Sequence, residues 1–225
     1  MKNIKVFESY SEIDSICNEF GITNWTVNSD GAVDVRGSIF LDNKGFKKLP
    51  LKFGKVDGDF FCEKNKLVTL EGAPSEVGGS FDLQQNNLIS LKGSPKKVGG
   101  YFDCSHNKLA SLEGAPIEVS GGFICDNNQL TTLNGAPNSV DNGYFWCQRN
   151  KLISLEGAPS NVRNLLCECN PIFEVYKLFT SHKAYLYSLD YNYLRGTNIV
   201  KSRLEEALEE FGIELPESIP GYKYI

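Results

Sequence analysis

A repeat of 21 residues governs this chain. Val56, Val77, Val98, Val119 and Val140 recur at that interval, and Asn65, Asn86, Asn107 and Asn128 keep the same step. Asn150 and Asn170 continue the series with one residue more and one fewer. A unit this short cannot bury its own apolar face, so repeats must stack on their neighbours to be stable, which excludes a globule with a non-repeating core.

Aligned on the asparagines, the other columns are apolar. Five residues earlier stand Phe60, Phe81, Phe102, Phe123, Phe145 and Leu165, and two residues after those come Cys62, Leu83, Cys104, Cys125, Cys147 and Cys167. Beyond the asparagine lie Leu67, Leu88, Leu109, Leu130, Leu152 and Ile172, then Leu70, Leu91, Leu112, Leu133, Leu155 and Val175. Residues two apart point to one side of a strand. Each coil is therefore predicted to give one short strand with its Phe and Cys inward, and the strands to stack as a parallel sheet about 30 Å long at about 4.8 Å per rung. The asparagine amide, donor and acceptor at once, suits the backbone groups exposed where the strand turns away. Turns written Gly72-Ala73-Pro74 or Gly114-Ala115-Pro116 combine a permissive residue with a fixed φ, which predicts an irregular far side with little helix.

The stretch Val98 to Pro116, with its pattern F-x-C-x-x-N-x-L-x-x-L-x-G-A-P, resembles the leucine-rich-repeat proteins of tailed phages and bacteria. The resemblance spans about residues 35 to 175 and extends to the flanks. It implies a right-handed solenoid with a concave parallel sheet, and a binding role without catalytic residues. Seven coils fit residues 35–175, the first degenerate because Lys44 replaces the asparagine.

An open solenoid needs its apolar ends covered. Residues 1–34 are predicted to form one helical cap: Ser9 and Glu12 make a capping box, Tyr10, Ile13, Ile16, Cys17 and Phe20 an apolar stripe, and Gly21 a stop, with Ile4 and Val6 opening a short strand. Residues 176–225 are predicted to form the other cap. One helix follows Pro171 with Phe173, Val175, Tyr176, Leu178 and Phe179. A second, starting near Thr197 or Asn198, carries Leu204, Leu208 and Phe211 inward and Glu205, Glu206, Glu209 and Glu210 outward before Gly212. The aromatic tail from Leu215 to Ile225 either docks back or meets a partner, and docking is the favoured reading.

A net charge of −5 with no basic block offers duplex nucleic acid little. No apolar stretch resembles a signal peptide or a membrane span, so a cytoplasmic protein is expected, in the host cytoplasm if phage-encoded. Seven cysteines, an odd number, then read as thiols. Their column faces a dry core where Leu83 takes the same place, so they act as small hydrophobes. Cys167-Glu168-Cys169 lacks the second pair of a zinc site. His106 and His182 have no nucleophile or carboxylate at a catalytic spacing. No enzyme, cofactor or metal is expected.

The outward strand positions are the candidate site. One column reads Ser38, Asp59, Ser80, Tyr101, Gly122, Tyr144 and Asn164; the next reads Phe40, Phe61, Asp82, Asp103, Ile124, Trp146 and Leu166; the third reads Asp42, Glu63, Gln84, Ser105, Asp126, Gln148 and Glu168. Tyr101, Tyr144, Trp146 and Phe61 have the composition of interface anchors. Asp59, Asp82, Asp103 and Asp126 would add an exposed acidic stripe that steers a basic partner. The expected function is binding of a protein, such as a host factor inhibited by a phage product. The alternative is sequestration of a small ligand such as a signalling nucleotide by Lys64, Lys66, His106, Lys108 or Arg149.

Overall fold

The structure, a computed structural model, describes residues 9–140, 143–153, 155–159, 162, 164–171, 175, 194–195, 198–209, 212–220 and 222–225. Its body is a parallel β-solenoid. Strands β1 (Trp25–Val27), β2 (Val33–Val35), β3 (Ile39–Phe40), β4 (Phe53–Val56), β5 (Phe60–Phe61), β6 (Glu76–Val77), β7 (Phe81–Asp82), β8 (Lys97–Val98), β9 (Phe102–Asp103), β10 (Glu118–Val119), β11 (Phe123–Ile124), β12 (Tyr144–Trp146) and β13 (Asn164–Leu166) divide between two sheets.

One sheet, the phenylalanine sheet, stacks β3, β5, β7, β9, β11, β12 and β13 in chain order, so seven rungs enclose six turns. Every rung is parallel, and Phe60, Phe81, Phe102, Phe123, Phe145 and Leu165 lie in register. The far side, expected to be irregular, instead carries a second parallel sheet, the valine sheet, of β2, β4, β6, β8 and β10, with Val56, Val77, Val98 and Val119 in register and an isolated bridge on to Val140. From β6 onward each of its strands is two residues long and buries one side chain, too short to show the alternation by which a strand is recognised. Between the sheets the coils touch backbone to backbone: a Cβ at Gly99 would lie 2.0 Å from the Gly78 carbonyl oxygen, so only glycine passes there.

The two inward columns meet in one core. Phe60, Phe81, Phe102, Phe123 and Phe145 are fully buried, with successive ring centroids 5.2–5.7 Å apart. Such contacts add about 0.5–1.5 kcal/mol each beyond the burial of area. Cys62, Cys104, Cys125, Cys147 and Cys167 are buried beside them as free thiols. Burial pushes Cys62 and Cys167 up to about 12 and the three between them well above the usual thiol range, so they remain protonated and pack as small apolar groups. Only Cys169 among the described cysteines is exposed.

The asparagine ladder works as its chemistry suggests. Asn107 Nδ2 donates to the carbonyls of Leu83, Cys104 and Ser105 at 3.0–3.1 Å, while its Oδ1 accepts from Leu88 N at 2.9 Å. Asn65, Asn86, Asn128, Asn150 and Asn170 repeat the arrangement on their own coils. The amide therefore joins each coil to the one before it. It also holds a corner that no sequence rule indicated: Asn43, Lys64, Gln85, His106, Asn127, Arg149 and Cys169 all have φ between 49° and 58°. Left-handed backbone is costly for a residue with a side chain, and it persists where surrounding bonds over-determine it, as the following asparagine's amide does at every corner but Asn43, where Asn65 Oδ1 of the next coil accepts from Lys44 N instead.

At the front, α1 (Tyr10–Glu19) begins with the expected capping box of Ser9 and Glu12 and buries Ile13 and Cys17 in the common core. Beyond Gly21 the cap expected to be helical is a hairpin. Strand β1 pairs antiparallel with β2 around Asn28, whose Oδ1 accepts from Asp30 N and Ala32 N, and β2 is already the first rung of the valine sheet. Near the other end, β14 (Leu194–Arg195), β15 (Asn198–Ile199) and β16 (Lys223–Tyr224) form a small sheet, so Asn198, expected to open the second helix, lies on a strand instead. Helix α2 (Lys201–Glu209) buries Leu204 and Leu208 and leaves Glu206 and Glu209 exposed. The tail docks: Ile219 is buried, and the Tyr222 hydroxyl donates to the Ile153 carbonyl at 2.9 Å. The expected strand at Ile4 and Val6 and the helix through Phe173, Tyr176, Leu178 and Phe179 lie outside the described residues.

Candidate functional site

The outward face of the phenylalanine sheet holds the predicted residues in three adjoining columns, because in-register parallel strands set like positions side by side. Its middle column is not the open stripe the sequence suggested. Phe40 is 55% exposed, whereas Asp82 and Asp103 are only 3% and 7% exposed and Ile124 is 8% exposed. Phe61 and Trp146 are half-buried.

The acids are covered by their neighbours. The Tyr101 hydroxyl donates to Asp82 Oδ2 at 3.5 Å, and Gln84 donates to both Asp82 oxygens, through N at 2.9 Å and Nε2 at 3.2 Å. Asp103 Oδ1 accepts from Ser105 N at 2.8 Å. From the other side, Tyr144 leans across the rung of Gly122: a Cβ there would fall 2.2 Å from the tyrosine ring, so the glycine makes room for it. Two tyrosines thus flank a pair of adjacent carboxylates.

The rings form two groups. Phe61 packs edge-on against Phe40 at 5.6 Å and stacks with Tyr101 at 6.5 Å; beyond the acids, Tyr144 and Trp146 lie 4.5 Å apart. The predicted anchors are therefore brought together, half-buried, on either side of Asp82 and Asp103.

Asp59 and Asp126 stand at the margins, half-buried. Asp59 Oδ1 accepts from Ser80 N at 2.7 Å, so it serves the neighbouring backbone. Asp126 accepts from the Asn127 side chain and lies 3.9 Å from His106 Nε2.

Burial dominates the electrostatics. It pushes Asp103 up to about 7 against the opposing hydrogen bonds from Ser105, with Asp82 and Asp126 adding like charge. Asp82 is raised for the same first reason, opposed by Gln84. Tyr101 is pushed up to about 12 by burial and then by the nearby acids, and Tyr144 is raised by burial and then by Asp103.

The third column supplies residues that the sequence placed on this face without assigning them a part. Asp42 Oδ1, Gln148 Oε1 and Glu168 Oε2 are buried acceptors with no hydrogen-bond partner, and Trp146 Nε1 is a buried donor in the same state. Alternation placed these side chains outward; the missing partners are visible only in three dimensions.

The five bases considered for a small anionic ligand do not converge. Lys64, His106 and Arg149 occupy alternate left-handed corners, exposed, and Lys64 pairs with Glu63 at 3.2 Å. Lys66 and Lys108 are exposed beyond the asparagines. A cleft of about 720 Å³ lies elsewhere, between the hairpin and the first turns, where it is lined by Asn28, Asp30, Lys52, Gly54, Glu71 and Ser75 among others. Among the described residues no three His, Cys, Asp or Glu side chains gather as metal ligands would, and no helix is long and apolar enough to cross a membrane. Compared with family models, with curated proteins and with solved structures, the chain matches none.

Proposed function

We propose that this chain is a non-enzymatic recognition module: a right-handed leucine-rich-repeat solenoid, closed by helical caps, that binds a protein partner across the outward face of its phenylalanine sheet. The observation that carries this reading is the juxtaposition of half-open rings, Phe61 and Tyr101 on one side and Tyr144 and Trp146 on the other, on a rigid stack of rungs. Large rings on a rigid support bury much area at little entropic cost, which is what interface anchors require. The resemblance to phage and bacterial repeat proteins directs the search for the partner to a host protein in the bacterial cytoplasm, which the chain would inhibit or modulate.

The test is affinity capture from extract of the native host, with bound proteins identified by mass spectrometry. Wild-type chain is compared with Tyr101→Ala/Trp146→Ala on the phenylalanine sheet and with Lys55→Ser/Glu76→Ser on the valine sheet. A partner lost in the first variant and kept in the second supports the reading; every partner retained by the first overturns it.

A further inference from the structure

The phenylalanine sheet face is short of donors and rich in negative charge. Asp42, Glu63, Asp82, Asp103, Asp126 and Glu168 lie in its second and third outward columns, on six of its seven rungs when the paired rungs are counted from β3 to β13. Two of these acids, Asp82 and Asp103, sit on adjacent rungs in the same column, an arrangement that a sheet complete in itself avoids because facing like charges repel. On the third column, three buried acceptor oxygens, those of the acids Asp42 and Glu168 and of the uncharged Gln148, lack donors, against a single unpartnered donor, Trp146 Nε1. Buried polar groups without partners are costly, so an occupant that supplies donors is favoured at this surface.

Resting on the reading of this face as a protein-binding surface, we infer that its occupant is an extended, arginine-bearing segment of the partner, with one guanidinium stacked against the Tyr101 and Tyr144 rings, in the field of the Asp82–Asp103 pair that lies beneath them. Guanidinium is the side chain that matches both deficits. It carries five N–H donors and no acceptor, keeps its charge at all working pH, and stacks on aromatic faces. Rings on both sides of the acids provide those faces, and a cation over a ring is drawn by its quadrupole. Seven rungs at about 4.8 Å span about 29 Å, so about nine extended residues run the length of the face. The occupant is complementary in charge to the whole surface, which accelerates encounter and makes binding sensitive to salt.

The probes are nona-arginine, nona-lysine and an uncharged glycine-serine nonapeptide, titrated into the full chain at low salt in a Trp25→Phe background, so that Trp146 alone reports by fluorescence. Nona-arginine is expected to change Trp146 emission and raise the melting temperature, to bind several-fold more tightly than nona-lysine, and to be released by about 0.5 M salt. Asp82→Asn/Asp103→Asn keeps the Oδ1 acceptors for Gln84 and Ser105, and is expected to weaken nona-arginine at least tenfold. Glu76→Gln/Glu118→Gln removes the same charge from the valine sheet and is expected to leave binding within twofold. Asp42→Asn/Glu168→Gln, at the two ends of the face, gives a second measurement should the central pair disturb folding, with a loss of at least threefold expected.

The inference is overturned if both acidic pairs on the phenylalanine sheet can be neutralised without effect, if nona-lysine equals nona-arginine, or if the glycine-serine peptide binds as well. It is likewise overturned if sedimentation shows the chain alone dimerising through this face, in a way lost on Trp146→Ala. If Tyr101→Ala/Trp146→Ala abolishes capture of a host protein while nona-arginine fails to bind, the surface remains a docking face and the arginine assignment alone falls. If neither change affects capture, the protein-binding reading falls with it.

Discussion

The two sheets of the solenoid share a backbone design and differ in how they treat their outward charges. On the valine sheet the outward column reads Lys55, Glu76, Lys97 and Glu118, with Lys55 Nζ 3.7 Å from Glu76 and Lys97 Nζ 2.8 Å from Glu118. Sign alternates rung by rung, so each charge meets its opposite on the neighbouring coil. On the phenylalanine sheet the corresponding column reads Phe61, Asp82, Asp103 and Ile124, with the two acids adjacent and buried. Stacking in register makes the identity of a column an energetic choice, because like positions always become neighbours. One sheet has a surface complete in water; the other retains repulsion and unpartnered acceptors that an occupant would relieve.

The inward columns should show the largest effects and test whether the two sheets really share one core. Phe102→Ala is expected to cost about 3–5 kcal/mol, because it opens a gap in the ring stack between Phe81 and Phe123. Val98→Ala, one corner away on the valine sheet, is expected to cost about 2 kcal/mol for its two methyl groups and the small cavity left. Urea denaturation measures both, and equal costs would contradict a core dominated by the phenylalanine side.

The asparagine ladder belongs to the exit edge of the phenylalanine sheet. Asn107→Leu takes the acceptor from Leu88 N and a donor from each of the carbonyls of Leu83 and Cys104, so a loss of about 3 kcal/mol is expected. Amide exchange at Leu88 should quicken selectively; unchanged protection there would argue that the ladder is decorative.

The acidic pair predicts a pH dependence of definite sign. Asp103 holds its proton more tightly folded than unfolded, since its folded value of about 7 lies above the ordinary carboxylate value of about 4. Stability from this group is therefore full below about pH 4, falls as pH rises through the interval, and is lost above about 7. Asp103→Asn should match the wild type near pH 4 and exceed it by up to about 4 kcal/mol at pH 8, measured by denaturation across that range. A difference that grows toward low pH would break the contrast between the two sheets.

The smallest effect is expected on the valine sheet. Glu118→Lys sets two lysines on neighbouring rungs, and because both side chains are more than half exposed, a lowering of the melting temperature by a degree or two at low salt, vanishing near 0.5 M, is expected. A large loss would show that alternation on this sheet is structural rather than a solvated convenience.

Much of this architecture is legible in single columns of the sequence. Phe81, Phe102 and Phe123 recur at one step and therefore stack, and the following asparagines recur with them and therefore bridge coils. Ser9 and Glu12 write a capping box that α1 uses. The valine sheet is not legible in the sequence, because Lys97-Val98 and its two-residue equivalents in β6 and β10 bury one residue each and leave no alternation to read. Alternation alone places Tyr101, Tyr144 and Trp146 on the outward face of the phenylalanine sheet, where the structure has them. The concealment of Asp82 and Asp103 was not foreseeable in that way, since their cover comes from tyrosines and glutamine whose side chains fold over neighbouring positions.

The sequence by itself determined the period, the inward spine and the outward columns, because these follow from local geometry repeated in register. Only the tertiary structure decided which outward residues meet water. That depends on where the Tyr101 and Tyr144 rings come to rest, and Gly122 sets the second of these by leaving open space where any side chain would stand.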